Sequence, residues 1–523
     1  MQLETFLEQS ARNWPEKTAL VCGGRRLSYA ELEETCNRLA HGLVAQGLQR
    51  GDRVAVHLDN SVEAVVAIFA VLKAGAVFMM VNPTTKSDKL LYLLNDSRAA
   101  GIILPGRKVA AHAACWSAAP HLRVVIPTAS AGPTPPAGEK TLLGFDALLA
   151  RHVADTRPPE KRAIDVDLAA LIYTSGSTGN PKGVMLTHHN MVSAATSITT
   201  YLENTPEDIV LNVLPLSFDY GLYQVLMAAR FGGCVVLERS FAYPHAVLER
   251  LALERVTGLP LVPTMSAILL QMELGKYDLS SLRYVTNTGA ALPTEHITRL
   301  RQRLPHARIY SMYGLTECKR VSYLEPEQID ARPGSVGRGM PNEEVYVVDD
   351  QGRRVGPGTV GELVVRGSNV MRGYWELPEE TDRMLRPGPL PGEKVLYTGD
   401  LFRMDEEGYL YFVGRRDDII KSRGEKVSPK EVENVLYAMP EVAEAAVIGV
   451  PDEILGQAIH AIVALKEGCQ ATDREVLRHC AAHLEDFMVP RSVEFRTSLP
   501  KSPNGKIDKR ALAAAETVQE ATP

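Results

Sequence analysis

The pattern of apolar and polar positions along this 523-residue chain changes texture twice. In the first part, short apolar runs alternate with segments whose apolar positions recur every three to four residues. Ser28-x-x-Glu31 opens an amphipathic stretch to Leu43, which predicts a helix with a capping box at its start. Residues 54–58 read as a strand and Val62–Lys73 as the helix after it. Strands at 101–104, 124–126 and 170–173 and a helix near 191–201 continue the alternation. Strands alternating with helices bury both faces of a sheet, so an α/β fold with parallel-type sheets is expected. After about Arg332 the pattern turns β-rich. Residues 345–349, 362–366 and 409–413, separated by Gly/Pro turns, predict a small barrel or antiparallel unit spanning about 332–414. Beyond it, a helix over Pro429–Tyr437, a strand over 443–450 and a helix near 473–484 predict a small α+β lid. The expected division is therefore a large lobe, 1–414, and a lid, 415–523. The Pro/Gly/Ala-rich stretch 129–140 reads as a surface loop, and the last dozen residues as a fraying end.

Composition narrows the classes. Apolar residues at 45% and charged residues at 23% suit a globular chain of two or more domains with a large core. A net charge of −6 without any Lys/Arg run argues against a nucleic-acid partner. The most apolar window, 62–81, is broken by Glu63, Lys73 and Gly75, which favours a buried helix and strand over a membrane span. The N-terminus has no basic region followed by an apolar stretch, so a cytoplasmic location is expected. The seven cysteines form no C-x-x-C pair, which argues against zinc or a disulfide framework and fits a reduced compartment.

The densest chemistry is Tyr173-Thr-Ser-Gly-Ser-Thr-Gly-Asn-Pro-Lys-Gly183. Thr174, Ser175, Ser177, Thr178 and Lys182 supply donors, while Gly176 and Gly179 let backbone N–H groups approach an anion. It reads as a phosphate-gripping loop. The ordinary P-loop is a poor match, because Pro181 precedes Lys182 where that motif has Gly.

This loop resembles the phosphate loop of the adenylate-forming superfamily, which contains acyl-CoA synthetases, carrier-protein-loading adenylation domains and luciferases. Four further motifs follow in that family's order, so the resemblance spans nearly the whole chain. It implies that ATP and a carboxylate give an acyl-AMP and pyrophosphate, and that the acyl group then passes to a thiol. Within Tyr313-Gly-Leu-Thr-Glu317, the resemblance puts Tyr313 and Gly314 at adenine, Thr316 near the α-phosphate and Glu317 on Mg²⁺, a hard cation that prefers oxygen. Thr288-Gly289-Ala290-Ala291 resembles the adenine-pocket lining. Tyr397-Thr-Gly-Asp400 matches the motif whose aspartate accepts both ribose hydroxyls. Arg415 would reach ribose or phosphate, and Asp417 holds the family's hinge position. Lys506, in Pro500-Lys-Ser-Pro-Asn-Gly-Lys506, matches the catalytic lysine that bridges carboxylate and α-phosphate. Thr174, Lys182, Glu317 and Lys506 are thus the expected catalytic set.

The acid is addressed by fewer residues. In amino-acid-activating relatives an aspartate after Ser-Phe binds the substrate ammonium; here Ser217-Phe218-Asp219 supplies one. A buried carboxylate needs a cationic partner, although an Asx turn capping the following helix would also use it. Cys318-Lys319-Arg320 stands where this family is usually small or apolar. By family geometry Lys319 and Arg320 flank the acyl pocket, where Arg320 would bind a substrate carboxylate bidentately or neutralise Asp219 when no substrate is bound. This combination looks like the stand-alone ligases that load β-amino acids, including aspartate-like ones, onto carrier proteins. Three readings stand at this point. The first is an amino-acid ligase whose thiol acceptor is a free-standing carrier protein or coenzyme A, and the second an acyl-CoA synthetase for a fatty or aryl acid. The third is a nucleotide-binding module without catalysis, which the presence of Lys506 and Glu317 disfavours.

Overall fold

The computed structural model describes residues 1–129, 140–174, 181–290, 292–416, 418–422, 425–452, 456–484, 486–502, 505–509 and 511–514. Among them, two large mixed sheets, one antiparallel sheet and one C-terminal sheet carry the architecture. The fold is α/β, as the alternation of patterns predicts.

The local signals act as expected. Ser28 and Glu31 form the capping box, and the helix behind them runs Tyr29–Ala45. The Val62–Lys73 helix, N-capped by Ser61, buries every position except Glu63. A helix apolar all round belongs between layers rather than at a surface, and this one joins the main core. No helix of the described residues is long and apolar enough to cross a membrane.

The nine-stranded sheet runs parallel through its centre. Ile209–Asn212, Gly258–Leu261, Tyr284–Asn287 and Arg308–Tyr313 lie side by side. Their carboxyl ends therefore emerge on one edge, where open α/β sheets place ligands. That edge carries 213–219, 262–264, 288–290 and 314–320. In the eight-stranded sheet, Val77–Met80 pairs in parallel with Leu168–Thr174. Both sheets depart from parallel pairing at their margins. Lys182–Thr187, for example, returns antiparallel to Leu168–Thr174, with Thr174 opposite Lys182. A parallel return needs a crossover of a dozen or more residues, and only seven separate these strands.

The β-rich segment is an antiparallel sheet of Glu343–Val348, Val360–Gly367, Lys394–Met404, Leu385–Pro387 and Leu410–Arg415. The C-terminal region packs the Pro429–Tyr437 and Asp473–His483 helices on a sheet built around the Val442–Asp452 and Gly456–Leu465 strands, with its own core. It meets the rest of the chain at His296, whose ring lies edge-on to Tyr437 at 5.9 Å. Desolvation holds His296 neutral, with a pKa of about 4. All seven cysteines are free thiols.

Candidate active site

Three strand ends and one loop of the C-terminal region converge outside the nine-stranded sheet. Tyr313 ends its strand, and its hydroxyl donates to Asp400 Oδ2 at 2.5 Å. Its ring packs edge-on against Phe402 at 4.7 Å and near-parallel to Phe412 at 6.3 Å. Asp400 pairs across its hairpin with Arg415, whose Nε lies 3.5 Å from Asp400 Oδ1. Burial raises the Asp400 carboxyl above the usual range against the opposing charge of Arg415. The expected ribose and adenine residues are thus joined in one network.

Glu317 Oε1 accepts a hydrogen bond from the Tyr374 hydroxyl at 2.8 Å, which leaves its second oxygen for a cation. Thr316 precedes it in the same turn, and Gly314 opens that turn against the Lys319 carbonyl. Lys182 pairs with Glu380 at 2.5 Å and lies 5.6 Å from the centre of the Tyr374 ring. The base of the phosphate loop is gripped from behind: Tyr173 donates to Asp96 at 2.5 Å, and Trp375 Nε1 to the Asp96 carbonyl at 2.9 Å. Of the expected phosphate residues, Thr174 and Lys182 are described. Ser175, Gly176, Ser177, Thr178 and Gly179 lie outside the described residues, as do Ala291 and Asp417. Ala290 borders that gap.

Lys506 reaches into this space from the C-terminal region. Its Nζ lies 5.6 Å from the centre of the Phe218 ring. Gly289, at φ +86°, makes room: a Cβ there would sit 3.0 Å from Phe218 and 3.3 Å from Lys506 Cε. Burial lowers the Lys506 amine below its ordinary value, and Asp219 is the strongest opposing charge.

Behind Phe218 lies a second, more enclosed group. The helix begins at Asp219 itself, with Phe218 at the capping position and no side-chain cap, so the Asx-cap reading of Asp219 is not what the fold uses. Instead Asp219, 8% exposed, faces Lys319 Nζ at 4.0 Å. The partner of Asp219 is therefore Lys319 and not the expected Arg320. Arg320 lies with its guanidinium 4.7 Å over the Tyr220 ring and donates to the Lys319 carbonyl at 3.0 Å. Lys319 and Arg320 are 1% and 3% exposed. Burial lowers the Lys319 amine to about 8, opposed by Asp219.

This group is polar and under-satisfied. Ser217 Oγ, Tyr223 Oη, Thr288 Oγ1, Lys319 Nζ and Arg320 Nε are buried without a hydrogen-bond partner among the described residues. Each such atom costs about 1–3 kcal/mol, and their concentration at one place is the mark of a site whose partner is a ligand. Sequence reasoning missed Phe218, Tyr374, Glu380 and the aromatic lining of Tyr220 and Tyr223. The signal for Tyr374 was its place in Gly373-Tyr374-Trp375 next to a Pro378-Glu-Glu380 helix start.

Known proteins resemble this chain over most of its length. Residues 7–375 match the AMP-binding enzyme family and residues 431–506 the AMP-binding enzyme C-terminal domain. A feruloyl-CoA synthase of Amycolatopsis sp is 37% identical, over 95% of this chain and 96% of its own length. The structure of the anthranilate CoA ligase AuaEII in complex with anthranoyl-AMP superposes with a TM-score of 0.90 at 27% identity, covering 100% of this chain and 98% of that one. ATP-bound MatB from Rhodopseudomonas palustris gives 0.85 at 31% identity, covering 98% and 99%.

Proposed function

Because the chain belongs to the AMP-binding enzymes and is an ATP-using, AMP-forming acid–thiol ligase, we propose that its acid is an amino acid carrying a second carboxylate, of the β-amino, aspartate-like kind. The observation that carries this reading is the Asp219–Lys319–Arg320 group: one carboxylate and two cations, nearly fully buried beside Lys506. A substrate ammonium would take the place of Lys319 against Asp219. The second carboxylate would then satisfy Lys319 Nζ and Arg320 Nε, which have no hydrogen-bond partner among the described residues. Buried charges are tolerated when paired and hydrogen-bonded, and such a ligand pairs all three.

In the first half-reaction the reacting carboxylate attacks the α-phosphorus of ATP, and pyrophosphate leaves with the electron pair of the broken P–O bond. Lys506, brought over Gly289, holds the carboxylate and α-phosphate oxygens together and offsets the charge that develops there. Asp400 accepts the ribose hydroxyls, Tyr313 with Gly289, Ala290 and Ala291 frames adenine, and Arg415 reaches ribose or phosphate. Thr174 and Lys182, with Ser175 to Gly179 between them, grip the leaving phosphates; ATP then displaces Glu380 from Lys182. Mg²⁺ fits Glu317, whose second carboxylate oxygen is available and whose first is fixed by Tyr374; it supplies charge neutralisation at the phosphates. Glu317 would hold the ion beside the nucleotide phosphates. In the second half-reaction a thiol attacks the acyl carbon and AMP departs. Residues 415–523 then act as a lid turning about Asp417, which withdraws Lys506. The acceptor we propose is a free-standing carrier protein's phosphopantetheine.

A second reading is favoured by Tyr220 and Tyr223 and by the aryl acids named in the relatives: a CoA ligase for an aryl carboxylic acid, with Asp219 serving only to balance Lys319. ATP–pyrophosphate exchange over a matched acid panel separates the two. The first reading expects exchange with an amino dicarboxylic acid to exceed that with its desamino analogue by about 100-fold, from one unpaired buried charge. Equal or greater exchange with amino-free aryl acids rejects it.

A further inference from the structure

Asn369 lies outside every motif considered above, yet it touches the one turn that presents both acid-side cations. Its buried side-chain Nδ2 lies 2.8 Å from the Cys318 carbonyl, 3.1 Å from the Arg320 carbonyl and 2.9 Å from Glu343 Oε2. The turn it grips is strained. Lys319 has φ +72°, a left-handed conformation that costs a non-glycine residue about 1–3 kcal/mol and persists only where its surroundings over-determine it. The Cys318 carbonyl belongs to the peptide plane before Lys319 and the Arg320 carbonyl to the plane after Arg320, so one amide holding both pins this two-residue segment at its two ends. The directions in which the Lys319 and Arg320 side chains leave the backbone are constrained by those two ends.

The neighbourhood is built around this amide. Gly367 lies opposite Glu343 in the antiparallel sheet, and a Cβ on it would stand 2.5 Å from Asn369 Oδ1 and 2.9 Å from Glu343 Cβ. No larger residue fits there while Asn369 keeps its place. Two residues further on, the Met371 backbone N–H donates to the Glu317 carbonyl at 2.7 Å. A main-chain bond thus supports Glu317, whereas a side chain supports the turn after it.

We propose that Asn369 is a positioning residue for acid selection, clamping the Cys318–Lys319–Arg320 turn so that both cations face the acyl pocket. The proposal rests on the reading of Lys319 and Arg320 as acid-side groups. It requires only that they contact the acid, whichever acid the enzyme prefers.

The test measures ATP–pyrophosphate exchange for wild type, Asn369→Ala and Gly367→Ala, with the acid that wild type uses best, and determines KM for acid and for ATP separately. A misplacement of the order of 1 Å costs about 100-fold, so Asn369→Ala should raise the acid KM roughly 10- to 100-fold and leave the ATP KM within about threefold. Gly367→Ala, which displaces Asn369 without removing it, should raise the acid KM in the same selective way. A fall in kcat with both KM values unchanged is the signature of fewer folded molecules and overturns the proposal, as does an equal rise in both KM values. If wild type instead prefers a monocarboxylic aryl acid, the substrate reading fails while the split between acid and ATP KM still decides the role of Asn369. Should Asn369→Ala not accumulate as folded protein, the acid and ATP KM values of Gly367→Ala decide between the same outcomes.

Discussion

Residues 313–320, the end of one strand and the loop after it, contribute to the two walls we propose, one for nucleotide and one for acid, and these differ in kind. On the nucleotide wall the polar groups already have partners: Tyr313 donates to Asp400, Asp400 faces Arg415, and Tyr374 donates to Glu317. On the acid wall, a few residues later, Lys319 Nζ, Arg320 Nε, Tyr223 Oη and Ser217 Oγ have no hydrogen-bond partner among the described residues, and the Asp219 carboxylate stands 4.0 Å from Lys319. The first wall is preorganised, so nucleotide meets groups already held in place. The second stores unsatisfied polarity, and a ligand gains by supplying the missing partners. Selectivity follows from the second wall, because a site of buried unpaired groups rejects analogues lacking the matching atoms more strongly than an apolar pocket rejects a missing methylene.

Substitutions break this comparison to different degrees. Lys506→Ala removes the group that serves both walls, and exchange should fall about 10²–10³-fold in kcat; retention of more than about half the activity would remove Lys506 from the reaction centre. Arg320→Met strikes the acid wall alone. The acid KM should rise roughly 30-fold, equivalent to about 2 kcal/mol, with ATP KM unchanged. Its melting temperature should hold or rise, because a buried guanidinium with an unpartnered Nε is exchanged for an apolar chain. A fall in melting temperature with unchanged acid KM would make Arg320 a structural residue. Tyr313→Phe touches only the nucleotide wall. Losing one hydrogen bond of about 1 kcal/mol should raise the ATP KM about fivefold and leave the ranking of acids intact. A changed ranking would mean the walls are not separable.

Much of the proposed nucleotide wall could be assembled from the chain because its residues sit in contiguous motifs whose order mirrors the strand order. The strand ending at Tyr313 and the turn to Glu317 are adjacent in sequence, and Asp400 and Arg415 belong to one hairpin. The capping box at Ser28 and the Pro429–Tyr437 helix were equally readable, since each depends on neighbours a few residues away. The acid wall was legible in its residues but not in its pairings. Lys319 rather than Arg320 faces Asp219 from a left-handed turn whose flanking carbonyls meet Asn369, some 50 residues away. Glu380 meets Lys182 across 198 residues, and Tyr374 meets Glu317 across 57. Contacts of that separation are set by how sheets stack, which no local pattern encodes.

The central claim is that Asp219 reads an amino group. It is tested most directly by the ratio of kcat/KM for an amino dicarboxylic acid to that for its desamino analogue, in wild type and in Asp219→Asn. The account predicts a ratio near 100 in wild type, collapsing to within about threefold of unity in Asp219→Asn, from the loss of one buried charge pair. A wild-type ratio near one, or a high ratio that survives Asp219→Asn, would contradict it.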